Sequence, residues 1–300
     1  MLAGNHEAVL GLISAKFLWE KFEGAREIFI SILDGPVDAT RWQQTTGDPA
    51  SAGGEPNPER VNADHGTFIC GILMGDRKSG SLGLCPDCTF NIVPALQPAH
   101  GGNNDVSMTT SPERLGEEIT KAVDAGSHLI NISLGLAPSA NESLWQLSSA
   151  LDYALSQGTV VVAAAGNQLS VGSSPLTRHP AVIPVAACKL SGSLWATSTL
   201  GASIGARGLR APGAGIWSSN PGGGLTDNLT GTSVAAAVVT GALGLLWSEF
   251  PEVTGQDFRV AVHQAHSYRR SVTPPLLDVA AVYSILTTLR RDAVRTQPLT

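Results

Sequence analysis

Short runs of β-branched and small apolar residues alternate along this chain with stretches in which apolar residues recur at helical spacing. The short runs predict buried strands at residues 27–33, 90–96, 128–134, 159–165 and 181–187. The helical spacing predicts helices at residues 65–74, 113–125, 144–157, 234–250, 253–266 and 277–289. Because strand and helix alternate, the pattern indicates an α/β fold: a doubly wound, mostly parallel sheet with helices on both faces.

The N-terminal residues 1–23 carry a helical pattern of their own. It predicts an amphipathic helix that docks on the domain through Val9, Leu10, Ile13, Phe17, Leu18 and Phe22. The segment lacks the basic start, apolar centre and small-residue cleavage site of a signal peptide. No apolar run is expected to be long enough to span a membrane. These features favour a cytoplasmic location without a membrane partner.

Composition and charge narrow the possible functions. The 300 residues are 43% hydrophobic and 15% charged and include 33 glycines, which suits a compact, turn-rich domain with a sizeable core. Polar residues, glycine and proline predict loops at residues 41–62 and 98–112. The net charge of −6 gives no electrostatic reason to expect nucleic acid as a partner.

The cysteines and acidic residues give no defensible metal site. Cys70 and Cys188 lie in apolar runs and are expected to be buried. Cys85 and Cys88 have the spacing of a disulfide or zinc knuckle, but a zinc site needs two further ligands, so a plain turn is favoured and a disulfide stays open. The scattered carboxylates show no calcium-ligand spacing. We expect no metal and no cofactor.

One serine stands between a glycine turn and a long run of small apolar residues, at Gly231-Thr232-Ser233. The N-terminus of the helix that follows offers unpaired N–H groups and a partial positive charge, and both favour an oxyanion. The small residues after Ser233 let this helix lie deep in the core, which would hold the serine rigidly. Since a Gly-Thr-Ser triplet alone is weak evidence, the prediction of a nucleophile depends on the rest of the chain.

Three other segments complete a catalytic constellation. Asp34 follows the first predicted strand, His65 opens a predicted helix, and Asn167 follows the central strand. Serine needs a base to act as a nucleophile, imidazole is the suitable base near neutral pH, and a buried carboxylate fixes the tautomer of the imidazole. An amide side chain supplies one donor to an oxyanion, and the backbone N–H of Ser233 supplies another.

In their order, these motifs resemble those of the subtilisin-like serine proteases. The matching motifs are His65-Gly66-Thr67, Ser133-Leu134-Gly135, Ala165-Gly166-Asn167 and Gly231-Thr232-Ser233. The chain order Asp, His, Ser is the one that subtilisin itself has. The resemblance implies that Asp34 orients His65, which acts as the base for Ser233. It also implies that Asn167 donates to the oxyanion.

The resemblance also implies a surface for an extended peptide. Ser133-Leu134-Gly135 would be the edge strand that pairs with the main chain of the substrate. Ala165 and Gly166 belong to the same predicted substrate-binding set. His179 stands where the family's first specificity pocket is walled, so it is a further candidate for substrate contact.

Two departures from the family pattern are informative. Asp34 continues as Gly35-Pro36-Val37-Asp38 rather than Thr-Gly or Ser-Gly, and Ala237 stands where the family usually has proline. The first departure is similar to the cyanobactin-maturation proteases of the A and G type, which process ribosomally made precursor peptides. That group usually continues with His-Pro, where this chain has Arg41-Trp42.

The resemblance implies an N-terminal docking helix and lead-in (residues 1–26), a peptidase domain (27–290) and a frayed tail (291–300). Two nearby carboxylates, Asp38 and Asp64, are interpreted as turn and helix-cap residues, with the alternative that one replaces Asp34 left open. Asn131 is interpreted as satisfying backbone groups at a strand end, and the three glycines 222–224 as a turn.

The cyanobactin-maturation group includes two activities: removal of a leader from a precursor, and ring closure by transfer of the acyl-enzyme to a free amine. Ring closure needs water excluded, and a helical cap near the histidine is held to do this. The 30 residues between Asp34 and His65 leave no room for such a cap, which favours hydrolysis. We expect a serine endopeptidase that matures a precursor peptide. The alternatives are a macrocyclising transamidase, a general intracellular protease and a catalytically silent peptide-binding homologue.

Overall fold

The structure, a computed structural model, describes residues 2–38, 63–95, 97–100, 106–136, 141–266 and 271–296. The predicted loop at residues 41–62 lies outside the described residues, as does part of the one at residues 98–112. The helices are α1 (Leu2–Leu12), α2 (Lys16–Trp19), α3 (Ala63–Met74), α4 (Pro112–Asp124), α5 (Asn141–Ser156), α6 (Pro175–Arg178), α7 (Ala202–Arg207), α8 (Thr232–Glu249), α9 (Gly255–Ala265) and α10 (Val279–Thr296). The strands are β1 (Phe29–Asp34), β2 (Thr89–Pro94), β3 (Gln97–His100), β4 (Val106–Thr109), β5 (Leu129–Ile132), β6 (Val160–Ala164), β7 (Val182–Cys188), β8 (Leu209–Pro212), β9 (Ser218–Ser219) and β10 (Leu225–Thr226).

Six strands form one parallel sheet in the order β2-β1-β5-β6-β7-β8. The chain moves outward from β1 to β2 and later returns to the other side of β1 to place β5. The direction of winding therefore reverses between β1 and β5, and such a reversal opens a crevice at the carboxyl ends of the two strands. Asp34 ends β1 and Ser133 follows β5, so both residues stand at this crevice. The predicted α/β class with a doubly wound, parallel sheet is confirmed.

Side chains on successive strand positions enter different cores, because a strand alternates its faces with a period of two. In β5, Leu129 belongs to the larger core and Ile130 to the smaller one; in β6, Val160 and Val162 face the larger core and Val161 the smaller. The larger core contains α3 and α8 together with the N-terminal helices, and the smaller contains α4 and α5. This double burial explains why the strands read as continuous apolar runs.

Helix α8 runs through the larger core. Every residue from Thr232 to Trp247 except Ser233 is buried. A Cβ at Gly241 would lie 2.6 Å from the Cβ of Leu84, and one at Gly244 would lie 2.8 Å from Cδ1 of Ile30. The helix therefore approaches its neighbours as closely as the small residues of its sequence predict.

Among the described residues, α8 is also long and apolar enough to cross a membrane, and 89% of it is buried inside the protein. The expectation that no apolar run has that length was therefore wrong for this helix. Its burial against the sheet is what the central helix of a domain core shows.

The N-terminal segment forms two helices where the sequence predicts one. Ser14 has a φ of 55°, a left-handed conformation that interrupts the helical hydrogen bonding between α1 and α2. The apolar positions still pack against the domain, and those buried in the larger core include Val9, Leu10, Ile13 and Leu18.

Other boundaries differ from the sequence predictions. The predicted loop at residues 98–112 contains most of the antiparallel pair β3–β4. Residues 133–135 are not an edge strand: they follow β5, which lies inside the sheet, and they are not part of a regular strand. Residues 291–296 continue α10 and are not a frayed tail. Strand β8 and the short hairpin β9–β10 were not predicted, because their sequences contain no long apolar run.

Candidate active site

Three side chains from separate elements meet at the crevice between β1 and β5. Asp34 is the last residue of β1, His65 lies in the first turn of α3, and Ser233 lies in the first turn of α8. Nδ1 of His65 is 2.7 Å from Oδ1 of Asp34, and Nε2 of the same ring is 3.0 Å from Oγ of Ser233. Both distances are those of hydrogen bonds. The structure thus brings together three residues that the sequence separates widely.

The carboxylate of Asp34 is held rigidly. It is fully buried, and its Oδ1 also accepts a hydrogen bond of 2.6 Å from the backbone N–H of Gly35. Its Oδ2 is buried without a hydrogen-bond partner among the described residues. Oδ1 therefore accepts both from the backbone of Gly35 and from the ring of His65.

Two effects act on the pKa of His65 in opposite directions. Burial lowers the pKa because it disfavours the charged ring, while the negative charge of Asp34 and the hydrogen bond to it raise the pKa. The raising effects are the stronger, so the pKa of His65 lies above its ordinary value. The side chain keeps 31% of its surface exposed, which leaves the ring accessible to a reacting group. His65 is therefore a stronger base than a free histidine.

Gly231 sets the position of Ser233 at the start of α8. It caps the helix with a φ of 144°, a conformation that side chains rarely adopt. A Cβ at this position would also lie 2.7 Å from Nδ2 of Asn167. Only glycine fits beside Asn167 here, which explains the first letter of the Gly-Thr-Ser triplet.

Asn167 lies directly after β6 and points its amide at the start of α8. Its Oδ1 accepts hydrogen bonds from the backbone N–H of Thr232 at 3.0 Å and from the hydroxyl of the same residue at 3.2 Å. Since the oxygen is thus occupied, the Nδ2 group is the end of the amide left to donate. Ser233 follows Thr232 in the first helical turn, where backbone N–H groups lack helical partners. Two donors, Nδ2 of Asn167 and the N–H of Ser233, are available for one anionic oxygen.

The predicted peptide-binding segments flank this site. Ser133 lies at the end of β5, and its hydroxyl donates to the carbonyl oxygen of Ser233 at 3.2 Å. Leu134 is buried, whereas a Cβ on Gly135 would have no atom of the described residues within 4 Å. Ala165 and Gly166 follow β6, and the N–H of Gly166 donates to the hydroxyl of Thr232 at 3.1 Å. As far as the described residues extend, the space at Gly135 leaves room for an extended chain.

The contacts of His179 are not with the site. Its Nδ1 accepts from the backbone N–H of Ala181, and its Nε2 is 3.5 Å from a carboxylate oxygen of Asp152 in α5. Burial lowers the pKa of this histidine, and Arg207 and Arg259 lower it further, against the raising effect of Asp152. Within the described part of the chain these contacts give the ring a structural environment, and its contact with substrate stays a prediction.

Asp38 and Asp64 do not take the place of Asp34. The carboxylate of Asp38 accepts from the backbone N–H of Gly222 at 2.8 Å, and its own N–H donates to the hydroxyl of Thr67. Asp38 thereby ties the β9–β10 turn, which the three glycines 222–224 form, to helix α3. Asp64 lies in the first turn of α3, as a helix-start carboxylate does.

All four cysteines are buried and free of disulfide bonds in this structure. Cys85 and Cys88 form a turn in which the N–H of Cys88 donates to the carbonyl of Cys85 at 3.0 Å. Burial raises the pKa of the Cys85 thiol, while the hydrogen bond from Cys85 lowers that of Cys88. The described part of the chain contains no group of three or more His, Cys, Asp or Glu residues placed to hold a metal ion.

Sequence reasoning missed the residues that support the site. Thr232 orients Asn167 through two hydrogen bonds, and its place beside the serine was the only available signal. Asn131 does not satisfy backbone groups in this structure: its amide joins the hydroxyls of Ser133 and Thr240. The positions of Asn131 and Thr240 in the sequence indicate this pairing only when it is known that β5 and α8 are in contact.

Comparison with known sequences agrees with this geometry. The sequence model of the subtilase (peptidase S8) family matches residues 13–281. Subtilisin DY of Bacillus licheniformis is 30% identical over 244 residues, which cover 79% of this chain and 82% of that protein. Subtilisin amylosacchariticus of Bacillus subtilis subsp. amylosacchariticus is 29% identical over 245 residues, which cover 80% of this chain. The chain spans about 60% of the length of that relative.

Solved structures with similar folds include a maturation protease and related protease domains. The prenylagaramide maturation protease PagA superposes with a TM-score of 0.76 at 26% identity and covers 93% of this chain and 99% of its own. A mutant of the protease domain of PatA gives a TM-score of 0.72 at 26% identity, with coverages of 89% and 98%. The PatG macrocyclase domain gives 0.74 at 20% identity, which shows the fold alone. With a family match that extends over residues 13–281, this chain belongs to the subtilase family.

Proposed function

We propose that this chain is a serine endopeptidase that cleaves an extended peptide through an acyl-enzyme. The observation that carries the proposal is the hydrogen-bonded series from Asp34 through His65 to Ser233, with distances of 2.7 and 3.0 Å. In this mechanism Oγ of Ser233 attacks the scissile carbonyl while Nε2 of His65 takes the hydroxyl proton. The same proton then passes to the leaving amine, and Asp34 stabilises the imidazolium in between.

The anionic oxygen of the tetrahedral intermediate receives two hydrogen bonds. Nδ2 of Asn167 donates one, because Oδ1 is engaged by Thr232. The backbone N–H of Ser233 donates the other from the first turn of α8, where the helix dipole adds a partial positive charge. Deacylation repeats these steps with water as the nucleophile, activated by His65.

The first experiment tests the nucleophile. A fluorophosphonate probe should label the protein, and intact mass measurement should show one added phosphonyl group. Ser233→Ala should abolish labelling. Ser248→Ala serves as the matched control, because Ser248 lies at the other end of α8, where its hydroxyl bonds the carbonyl of Gly244 and the thiol of Cys88. A wild-type protein that takes up no probe would support a catalytically silent peptide-binding homologue instead.

We further propose that the substrate is a precursor peptide from which a leader or flanking sequence is removed. Support comes from the similarity to PagA, a maturation protease, and to the PatA protease domain, both at 26% identity over most of this chain. The Asp34-Gly35-Pro36-Val37-Asp38 segment also resembles that group. The described residues around Gly135 leave the crevice open, as an extended peptide requires.

Incubation with synthetic precursor peptides and mass spectrometry tests this second step. Cleavage at one boundary between leader and product, with addition of one water, is the expected result. A product one water lighter than the hydrolysed linear peptide would instead show macrocyclisation, in which an amine of the peptide attacks the acyl-enzyme. Cleavage at many positions of unrelated peptides would show a general protease and would contradict the maturation role.

A further inference from the structure

A buried group of polar side chains joins strand β5 to helix α8 directly beneath the nucleophile. Asn131 lies in β5, Ser133 follows two residues later, and Thr240 lies in α8. Asn131 and Thr240 are fully buried, and Ser133 is 4% exposed. Polar groups at such depth are costly unless every one of them is paired.

Each polar atom of this group has a partner, and the bonds run in one direction. The hydroxyl of Thr240 donates to Oδ1 of Asn131 at 2.9 Å, and Nδ2 of Asn131 donates to Oγ of Ser133 at 2.8 Å. The hydroxyl of Ser133 then donates to the carbonyl oxygen of Ser233 at 3.2 Å. We name this series of three hydrogen bonds the Thr240–Ser233 relay.

The periodicities of strand and helix place these residues opposite one another. Residues 131 and 133 are two apart and lie on the same side of the chain at the end of β5. Residues 233 and 240 are seven apart, which is about two helical turns, and they share a face of α8. Ala237 stands between them on that face and is fully buried. Its small side chain lets the face of α8 lie close to β5.

The relay ends on the peptide unit of the nucleophile. The carbonyl of Ser233 is already the helical partner of the N–H at position 237, so the hydroxyl of Ser133 is a second donor that fixes its orientation from the side of β5. Ser133 also begins the segment beside which an extended substrate would lie. Ser133 therefore links the predicted substrate-binding segment, to which it belongs, to the backbone of the nucleophile.

We propose that Asn131 and Thr240 are positioning residues, which hold the hydroxyl of Ser133 against the Ser233 peptide unit and so align Oγ of Ser233 with His65. This inference rests on the proposed peptidase function. Loss of the Thr240 hydroxyl frees the Asn131 amide to rotate, the amide then no longer holds the Ser133 hydroxyl, and the first turn of α8 loses its lateral restraint. Substrate binding on the backbone of residues 133–135 is changed less than the reaction step.

The test uses Thr240→Val, which removes the hydroxyl at constant shape, and Thr240→Ser, which keeps it. Two rates are measured: the inactivation rate constant of Ser233 by a fluorophosphonate, and kcat and KM with a peptide that the wild type cleaves. Thr240→Val should lower the inactivation rate and kcat by about tenfold, since small misplacements of a reacting group are costly, with KM changed by less than about twofold. Thr240→Ser should restore most of both rates.

A double-mutant cycle separates positioning from general destabilisation. Ser133→Ala breaks the last two bonds of the relay, and Thr240→Val breaks the first. If the relay acts as a unit, the double variant should be no slower than the slower single variant. If the two losses multiply, the residues act independently and the relay is refuted. Ser133→Ala alone keeps the proposal testable if Thr240→Val does not fold.

The outcomes for the relay and for the proposed function are distinguishable. A wild type that the probe does not label refutes the function itself. A labelled wild type with Thr240→Val reacting at the same rate refutes the relay and leaves the function intact. A fall in thermal stability with both rates unchanged assigns Thr240 a structural role only.

Discussion

Replacing Asp34 by asparagine removes the charge that faces His65 and leaves the shape of the side chain. The Asp34 oxygen lies 2.7 Å from Nδ1 of the ring. Unit charges about 4 Å apart interact by about 4 kcal/mol at an effective dielectric near 20, which corresponds to about a 10³-fold effect. The amide can also donate to Nδ1 and so favour the wrong tautomer of the ring, a change that costs about 10⁴-fold in kcat in chymotrypsin-type serine proteases. We expect D34N to lower kcat/KM by about 10³- to 10⁴-fold.

The same substitution should also shift the pH dependence of the rate in a defined direction. The reaction needs neutral His65, so the wild-type rate falls as the pH drops through the pKa of that ring, which Asp34 raises. In D34N burial alone acts on the ring and lowers its pKa, so the acid limb should move to lower pH. Rates of fluorophosphonate labelling between about pH 5 and pH 9 measure the limb in both proteins. D38N is the matched control and should keep the wild-type limb, because the carboxylate of Asp38 accepts from the N–H of Gly222 and the charge that raises the pKa of His65 is that of Asp34. An acid limb that does not move in D34N, or a loss of less than about tenfold, would refute the electrostatic role of Asp34.

Three further predictions follow from the geometry. Asn167→Ala should lower kcat about 10²- to 10³-fold with little change in KM, which is the effect known for the oxyanion amide of subtilisin, a relative. Steady-state kinetics measures both constants. An unchanged kcat would show that Asn167 does not donate to the oxyanion. Gly231→Ala should lose both activity and thermal stability, because its Cβ would lie 2.7 Å from Nδ2 of Asn167; a crystal structure with an unmoved amide would contradict this reason. Phe258→Ala should lower the free energy of unfolding by about 3–5 kcal/mol, since the buried ring stacks on Trp247 at a centroid distance of 4.5 Å. Urea titration measures the free energy of unfolding. As the control, Val260→Ala at an exposed position should change this free energy by less than about 0.5 kcal/mol.

The convergence of the site could be predicted from the sequence because the fold is a parallel sheet. Asp34 and Asn167 each follow a buried apolar run, and Ser233 begins a helix of small residues. In a doubly wound sheet the strands end at a common edge, so residues that directly follow strands come together whatever their separation along the chain. The alternation of strands and helices was therefore consistent with a site at this edge, and the resemblance to the subtilisin-like proteases assigned the roles of the residues in it.

The neighbours of each segment could not be predicted in the same way. A strand pattern does not say which strands flank it, and the edge strand at residues 133–135 was implied by the resemblance alone, whereas β5 lies between β1 and β6. The resemblance implied that His179 contacts substrate, which stays a prediction; in the described residues its ring contacts Asp152 and Ala181. The break at Ser14 depends on a single left-handed residue for which the sequence carries no glycine signal.

The relay shows what becomes visible only when two periodicities are combined. Asn131 and Thr240 each interrupt an apolar run, and each alone reads as an isolated polar residue in a buried element. Their pairing requires that β5 and α8 lie in contact with a register that sets residue 131 opposite residue 240, and no pattern within either segment contains that register. The hydroxyl of Thr240 and Oδ1 of Asn131 satisfy each other in the core, so a slip of α8 along β5 would separate this donor from this acceptor and disfavour other registers. The same bonds that orient the Ser233 peptide unit therefore also fix how α8 seats on the sheet, which makes the alignment of the nucleophile a property of the core and not of the surface loops.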